Sequence, residues 1–313
     1  MARYAVAFPG QGSQYPGMAQ DLFRREQSVK DLFTLAGEVL GRDMAALCFE
    51  GPQEALDLTA NTQIAVLIAD LASWLAFSGR MSAAPAMMAG HSLGEYAALY
   101  AAGAVDLRDV LSLVDLRGKY HQEAVPVGEG AMAAILGLSK ETVEELCRNI
   151  DGKQHAVAFS IENAPGQIVV SGHTTAIDQI IAAAERKDSG RAVKLSISVP
   201  CHCRLLQSAA ERFAAELQKV QFRPCRIPVI PNCDPDILHT LDRSRELLAT
   251  QITSPVRWKE TVEKMAASGI DTIVELGPKR TLSGLIRRID RRLRILNVED
   301  GESLEKTVAA LNG

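Results

Sequence analysis

A serine stands between two glycines in Gly90-His91-Ser92-Leu93-Gly94, after a short apolar run and before an alanine-rich stretch. Between a strand and a helix, Gly-x-Ser-x-Gly makes a turn too sharp for side chains at either glycine. Such a turn lifts the Ser92 hydroxyl clear of the backbone and aims the amino end of the next helix at it. The Leu93 N–H is then placed to donate to an oxyanion growing on a carbonyl under attack. The same five residues also occur as an ordinary tight turn, so the partners of Ser92 decide between the two readings.

A nucleophilic serine needs a base. Of the six histidines, the turn directs His91 away from Ser92. His121, His155 and His173 fall in or beside helical and inserted segments, and His239 sits in the polar "DPDILHTLDRS". His202 follows the apolar "AVKLSIS" and Val199-Pro200 and precedes the helical "RLLQSAAERF". That places it at the carboxyl end of a strand, where open α/β sheets assemble their sites. Position therefore favours His202, while no Asp or Glu stands out as its orienter. Cys201-His202-Cys203 invites a metal reading, but zinc ligands come at wider spacing with a second pair elsewhere. Reduced cysteines and no metal are expected.

Arg117 extends the apolar stripe of Val110, Leu113 and Val114 in "DVLSLVDLRGKY" by one helical turn. A guanidinium facing a core needs an anion, because an unpaired buried charge is very unfavourable. Two anions fit: a structural carboxylate, or a carboxylate carried in by the substrate and held by arginine's planar fork.

These residues need a scaffold. "RYAVAF" (3–8), "PAMMAG", "DTIVELG" and "RILNV" read as strands, and "NTQIAVLIADLASWLAF", "LGEYAALYAAGAV" and "DLRDVLSLVDLRGKYHQEAV" as helices. Their alternation predicts an α/β fold with a mostly parallel sheet. From about 127 to 198 the order becomes β-α-β-β-α-β, a ferredoxin-like insertion. Its two middle strands flank Asn163-Ala-Pro-Gly, and its last strand is "RAVKLSIS". The 313 residues are 47% hydrophobic and 23% charged, with a net charge of −4. Nothing in that balance points to nucleic acid or a membrane surface. Ile64–Phe77 is interrupted by Asp70 and too short to span a bilayer. The amino terminus reads as a buried strand and not a signal peptide, so the cytoplasm is the expected location.

Taken in order, "FPGQGSQYPGM", "GHSLGEYAAL", "LRGKYHQEAV", "SVPCHCRLL", "QITSPVRW" and "VELGPKRTLSGL" cover essentially the whole chain. Together they resemble the malonyl-CoA:acyl carrier protein transacylases and the acyltransferase domains of polyketide synthases. The resemblance implies a hydrolase-like catalytic core (1–126 and 199–313) carrying the inserted ferredoxin-like subdomain (127–198). It implies Ser92 as nucleophile, His202 as base, and the N–H groups of Gln11 and Leu93 as the oxyanion hole. Arg117 is implied to bind the malonyl carboxylate, the Gln251 backbone carbonyl to orient His202, and Asn163 to lie near the site. Malonyl-CoA and an acyl carrier protein are the implied partners, with no metal or redox cofactor, no nucleic acid and no membrane. Ping-pong acyl transfer, most simply for fatty-acid synthesis, follows. A trans-acting polyketide acyltransferase and the transacylase subunit of a malonate decarboxylase share these motifs.

Cys201, just before the base, is small like the serine of stand-alone enzymes. Malonyl is therefore the expected group, and a branched acyl group stays open. Two other classes stay open as well: a serine thioesterase or hydrolase, which has no use for Arg117, and a non-catalytic carrier-binding protein. Near the carboxyl end, "RTLSGLIRRIDRRLR" reads as a helix with Arg287 and Arg291, and Arg288 and Arg292, in two adjacent rows. They form a solvated face or a docking surface for an acidic carrier protein.

Overall fold

The computed structural model describes residues 3–152, 155–197 and 199–312. Its strands are β1 (Tyr4–Phe8), β2 (Met87–Gly90), β3 (Gly130–Leu136), β4 (Val157–Ala164), β5 (Gln167–His173), β6 (Arg191–Lys194), β7 (Val229–Ile230), β8 (Thr272–Leu276) and β9 (Arg294–Val298). Five of them form a parallel sheet in the order β7-β2-β1-β8-β9. Side chains alternate across a strand, so Tyr4, Val6 and Phe8 enter one core while Ala5 and Ala7 enter another beyond the opposite face. Both faces are covered, which is why β1 is a continuous apolar run.

The helix Thr59–Ser78 lies in the first of these cores. The helix extends the apolar run Ile64–Phe77 at both ends, and by length and composition alone its 20 residues could cross a membrane. It is nevertheless buried nearly all round by protein. Asp70, fully enclosed in it, has no hydrogen-bond partner for either oxygen among the described residues. Burial, aided by nearby Glu275, holds its carboxyl well above the usual carboxylate range.

The second sheet is antiparallel, in the order β4-β5-β3-β6. In chain order it reads β3, the helix Lys140–Ile150, β4, β5, the helix Thr174–Glu185, and β6. Ser139 caps the first of these helices by accepting from Thr142 N–H. The sheet is tied to the segment before the helix Trp258–Ala267 through Val256, whose N–H donates to Ser160 O and whose carbonyl accepts from Glu162 N–H, each at 2.9 Å. Ser171 Oγ donates to Cys201 O at 2.6 Å, beside the base.

Two expected elements are shorter than read. β6 stops at Lys194, leaving the rest of "RAVKLSIS" outside the ladder, and residue 198 lies outside the described residues. The arginine-rich helix is Thr281–Ile289 only. Asp290 is extended and its carboxylate accepts from Arg292 N–H at 2.9 Å, the local bond by which Asp competes with helix. Arg291 and Arg292 therefore sit in the turn before β9, and the two helical rows of arginines do not form.

Candidate active site

The register Phe8↔Gly90 brings the carboxyl ends of β1 and β2 side by side. Residues 9–12 and 91–93 thus leave the sheet together, with Asn232 following β7 on the other flank. Ser92 has φ 52°, a left-handed conformation unfavourable for serine. A Cβ on Gly90 would sit 1.8 Å from the Gly94 carbonyl carbon, and one on Gly94 would sit 2.2 Å from Phe8 O. Both glycines are therefore sterically required, and Ser92 stands at the amino end of the helix Gly94–Ala101.

Ser92 Oγ lies 2.7 Å from His202 Nε2. His202 Nδ1 lies 2.8 Å from the Gln251 carbonyl oxygen. A carbonyl only accepts, so Nδ1 carries the proton and Nε2 presents its lone pair to the serine. His202 is 1% exposed. Burial, reinforced by the charge of Arg117 and opposed by the bond to Gln251, pushes its pKa down to about 3. The imidazole is neutral and ready to accept a proton. Like Ser92 it has positive φ, here 59°. Its neighbours in sequence diverge from it: Cys203 Sγ donates to Pro200 O, and Cys201 Sγ lies 4.0 Å from His121 Nδ1. Burial pushes the Cys201 thiol up to about 12.

Arg117 is 1% exposed, inside the helix Leu107–Ala124. Nη2 donates to Ser92 Oγ at 3.3 Å and to Gln251 Oε1 at 3.1 Å, while Nη1 reaches Gln63 Oε1. Its Nε has no hydrogen-bond partner among the described residues. Each of these acceptors is neutral, and among the described residues no carboxylate is in ion-pair contact with Arg117. The structural carboxylate that would explain a buried arginine is not in place.

The remaining sequence candidates fall around this centre. The N–H groups of Leu93 and Gln11 donate to no group among the described residues, and the Gln11 side chain donates to Thr59 Oγ1 at 3.0 Å. Asn163 Oδ1 is 2.9 Å from His91 Nε2, so Asn163 meets the elbow through His91 and not through Ser92. The His91 and Trp258 rings meet edge-to-face, with centroids 5.6 Å apart. The arginine cluster is dispersed: Arg288 binds Gln167 Oε1 and Arg292 pairs with Asp290.

Four further residues belong to the site. Asn232 Oδ1 accepts from Ser92 N–H at 2.5 Å, and its Nδ2 donates to Gly90 O at 2.6 Å. Glu95, 0% exposed, accepts from Asn232 N–H and from Gln251 Nε2, each at 2.8 Å. His239 Nε2 lies 2.8 Å from the other Glu95 oxygen, and His121 is buried beside Gln63. Burial, then the charge of Arg117, holds His121 well below its usual pKa. A sequence signal existed for His121, which lies four residues after Arg117 on one helical face. None existed for Asn232 or His239, which reach Glu95 from far along the chain.

A family model described as acyl transferase domain matches residues 6–304. The chain is 42% identical over 289 residues to the malonyl CoA-acyl carrier protein transacylase of Escherichia coli K12, covering 92% of this chain and 93% of that protein. It is 38% identical over 311 residues to the transacylase of the same name from Bacillus subtilis 168, with 99% and 98% covered. Its structure matches the Coxiella burnetii malonyl CoA-acyl carrier protein transacylase with a TM-score of 0.96 at 40% identity, covering 100% of this chain and 98% of that one. A malonyl-transacylase in complex with a type II polyketide acyl-carrier protein matches with a TM-score of 0.95 at 40% identity, with 99% and 100% covered.

Proposed function

The chain belongs to the acyl transferase domain family, and on that premise we propose how it moves a malonyl group from coenzyme A to an acyl carrier protein. The observation that carries the reading is Arg117, a buried cation with only neutral partners, 3.3 Å from the serine hydroxyl. A malonyl ester on Ser92 would bring a free carboxylate to it. Both anions weighed from the sequence would satisfy a buried guanidinium, and the one arriving with the substrate fits this surround.

In this mechanism His202 Nε2 takes the Ser92 proton as Oγ attacks the thioester carbonyl. The N–H groups of Leu93 and Gln11 bind the oxyanion. The C–S bond breaks, and the imidazolium returns its proton to the departing coenzyme A sulfur. In the second half the phosphopantetheine thiol gives its proton to His202 and its sulfur attacks the ester. The C–O bond breaks and the proton returns to Ser92 Oγ. A thioester is consumed and a thioester is made, so the steps use no metal or redox cofactor. Gln251 holds the imidazole tautomer, and Asn163 supports the elbow through His91.

We read residues 1–126 and 199–313 as a hydrolase-like core and 127–198 as a ferredoxin-like insertion. The support is the β-α-β-β-α-β order and the strand order β4-β5-β3-β6. Fatty-acid synthesis in the cytoplasm is the assigned setting. Docking of the acidic carrier protein on the arginine segment remains part of the proposal in narrower form. Arg288 and Arg292 are engaged within the chain, and Arg291 and Arg292 precede β9, at the end of the sheet opposite Ser92. Arg287 is left as the principal residue.

The test is to incubate the protein with malonyl-CoA and weigh it intact. One added malonyl group mapping to Ser92, absent from Ser92→Ala, is expected. Addition of holo carrier protein should then move the group to the carrier thiol. Release of free malonate in its place would establish a hydrolase, and unchanged acylation of Ser92→Ala would overturn the nucleophile.

A further inference from the structure

We propose that Glu95 is the positioning residue that holds both Ser92 and His202 in reacting geometry, acting through Asn232 and Gln251; this rests on the reading of those two as nucleophile and base. A buried carboxylate in the helix Gly94–Ala101 is unfavourable unless its oxygens are satisfied. Here they are satisfied by the residues that touch the reacting pair. Oε2 accepts from Asn232 N–H and Gln251 Nε2, and Oε1 faces His239 Nε2, all at 2.8 Å.

The first arm runs to the nucleophile. Asn232 accepts from Ser92 N–H and donates to Gly90 O, so its amide fits in one orientation only. It grips the elbow from both sides of Ser92, the residue held at φ 52°. Glu95 fixes the Asn232 backbone and with it the height of that grip.

The second arm runs to the base and to Arg117. Gln251 Nε2 donates to Glu95 and also to Ser92 O at 2.9 Å, which leaves Oε1 to accept from Arg117. Without the Glu95 acceptor, that amide loses a contact that sets its orientation. Turned over, it would present its NH₂ to the guanidinium, donor against donor. The same residue supplies the carbonyl that holds His202 Nδ1. One carboxylate thus sets the nucleophile, the tautomer of the base and the acceptor behind Arg117.

Positioning by hydrogen bonds predicts that an isosteric amide can take over. In Glu95→Gln the new oxygen accepts from Asn232 and Gln251, and the new NH₂ donates to His239 Nε2. His239 then carries its proton on Nδ1 and donates it to Ser244 Oγ, 3.1 Å away. Ser244 Oγ can accept because its own proton goes to Thr240 O at 2.7 Å.

The experiment measures the rate at which a fluorophosphonate modifies Ser92, which needs the serine and its base but no acyl recognition, alongside malonyl and acetyl transfer from coenzyme A. Misplacing a reacting group by about an ångström costs about 100-fold. Glu95→Ala should therefore lose about 100-fold in modification and in both transfers. Glu95→Gln should recover most of that loss. A folded Glu95→Ala modified at the wild-type rate would overturn the proposal. So would a Glu95→Gln as slow as the alanine variant while melting like wild type. If Glu95→Ala does not fold, Asn232→Ala removes the first arm alone and should show the same slow modification; a wild-type rate there refutes it. Failure of the underlying mechanism looks different, because wild-type protein would then not be modified at Ser92 at all.

Discussion

Replacing Arg117 by methionine separates a substrate-binding arginine from a structural one through two measurements of opposite expectation. On the functional side, the variant has nothing to pair with the malonyl carboxylate. Breaking a buried charge pair by removing one partner costs about 3–5 kcal/mol. At about 1.4 kcal/mol per tenfold, acylation of Ser92 by malonyl-CoA should fall by roughly two to three and a half orders of magnitude. Acetyl-CoA has no carboxylate and loses only the 3.3 Å bond from Nη2 to Ser92 Oγ. Its acylation should change by less than about tenfold, the scale of one ordinary hydrogen bond. On the stability side, Arg117 is a buried charge whose partners are all neutral. Removing it leaves Gln63 Oε1 and Gln251 Oε1 without that donor, at about 1–3 kcal/mol each. It also relieves a desolvation penalty of several kcal/mol. These nearly cancel, so the melting temperature should stay within a few degrees. Quenched-flow acylation followed by intact mass gives the first result and thermal melting the second. The pH profile adds a third, because the Arg117 charge is among the causes that push His202 down to about 3. Wild-type acylation should not decline as pH falls through 6.5, and in Arg117→Met the acid limb should move up. Equal losses for malonyl and acetyl, with a melting temperature lowered by more than ten degrees, would make Arg117 structural.

Three other expectations follow from particular atoms. In Gly94→Ala the new Cβ would meet Phe8 O at 2.2 Å, strand backbone that cannot yield; a loss above about 4 kcal/mol is expected, and a folded variant that still acylates Ser92 normally would disprove the steric argument. Gly284, exposed in the helix Thr281–Ile289 with open space around its Cβ, should instead gain about 1 kcal/mol on replacement by alanine, measured by chemical denaturation. His121 is held well below its usual pKa, so below about pH 6.5 the unfolded chain takes up a proton that the folded chain refuses. The stability it contributes is complete above that pH and lost on acidification, by about 1.4 kcal/mol per pH unit; His121→Phe should flatten the wild-type slope between pH 6 and 5 by that amount, and identical slopes would refute it.

What the sequence made legible was whatever repeats locally. β1 could be read because both its faces are buried, and the elbow because two glycines bracket one serine. Ser92, His202 and Arg117 were each singled out from their own segments, and the fold sets their side chains within hydrogen-bond reach. β7 escaped notice because it is two residues between Pro228 and Pro231, stabilised by pairing with β2. Glu95 was invisible for a related reason. An acidic residue in the first turn of a helix normally faces solvent near the positive end of the dipole, and only the distant Asn232, Gln251 and His239 convert it into a buried hub. The arginine helix was read too long because Asp290 is compatible with a helical pattern until its carboxylate turns back on Arg292 N–H.

The third member of the serine–histidine pair is a peptide carbonyl, that of Gln251. Any residue at that position brings the same oxygen, so a substitution there alters what the amide does and leaves the imidazole its partner. A carbonyl also has no charge to offset an imidazolium, and in the free protein nearby Arg117 further disfavours protonated His202. The proton must therefore pass on almost as soon as it is taken. A departing thiol, with a pKa of about 8.5, holds its own negative charge well and asks little of an acid. An amine leaving from a peptide bond asks for far more. The choice of a neutral orienter thus tunes the centre to exchange acyl groups between sulfur atoms and leaves it a poor catalyst of amide cleavage.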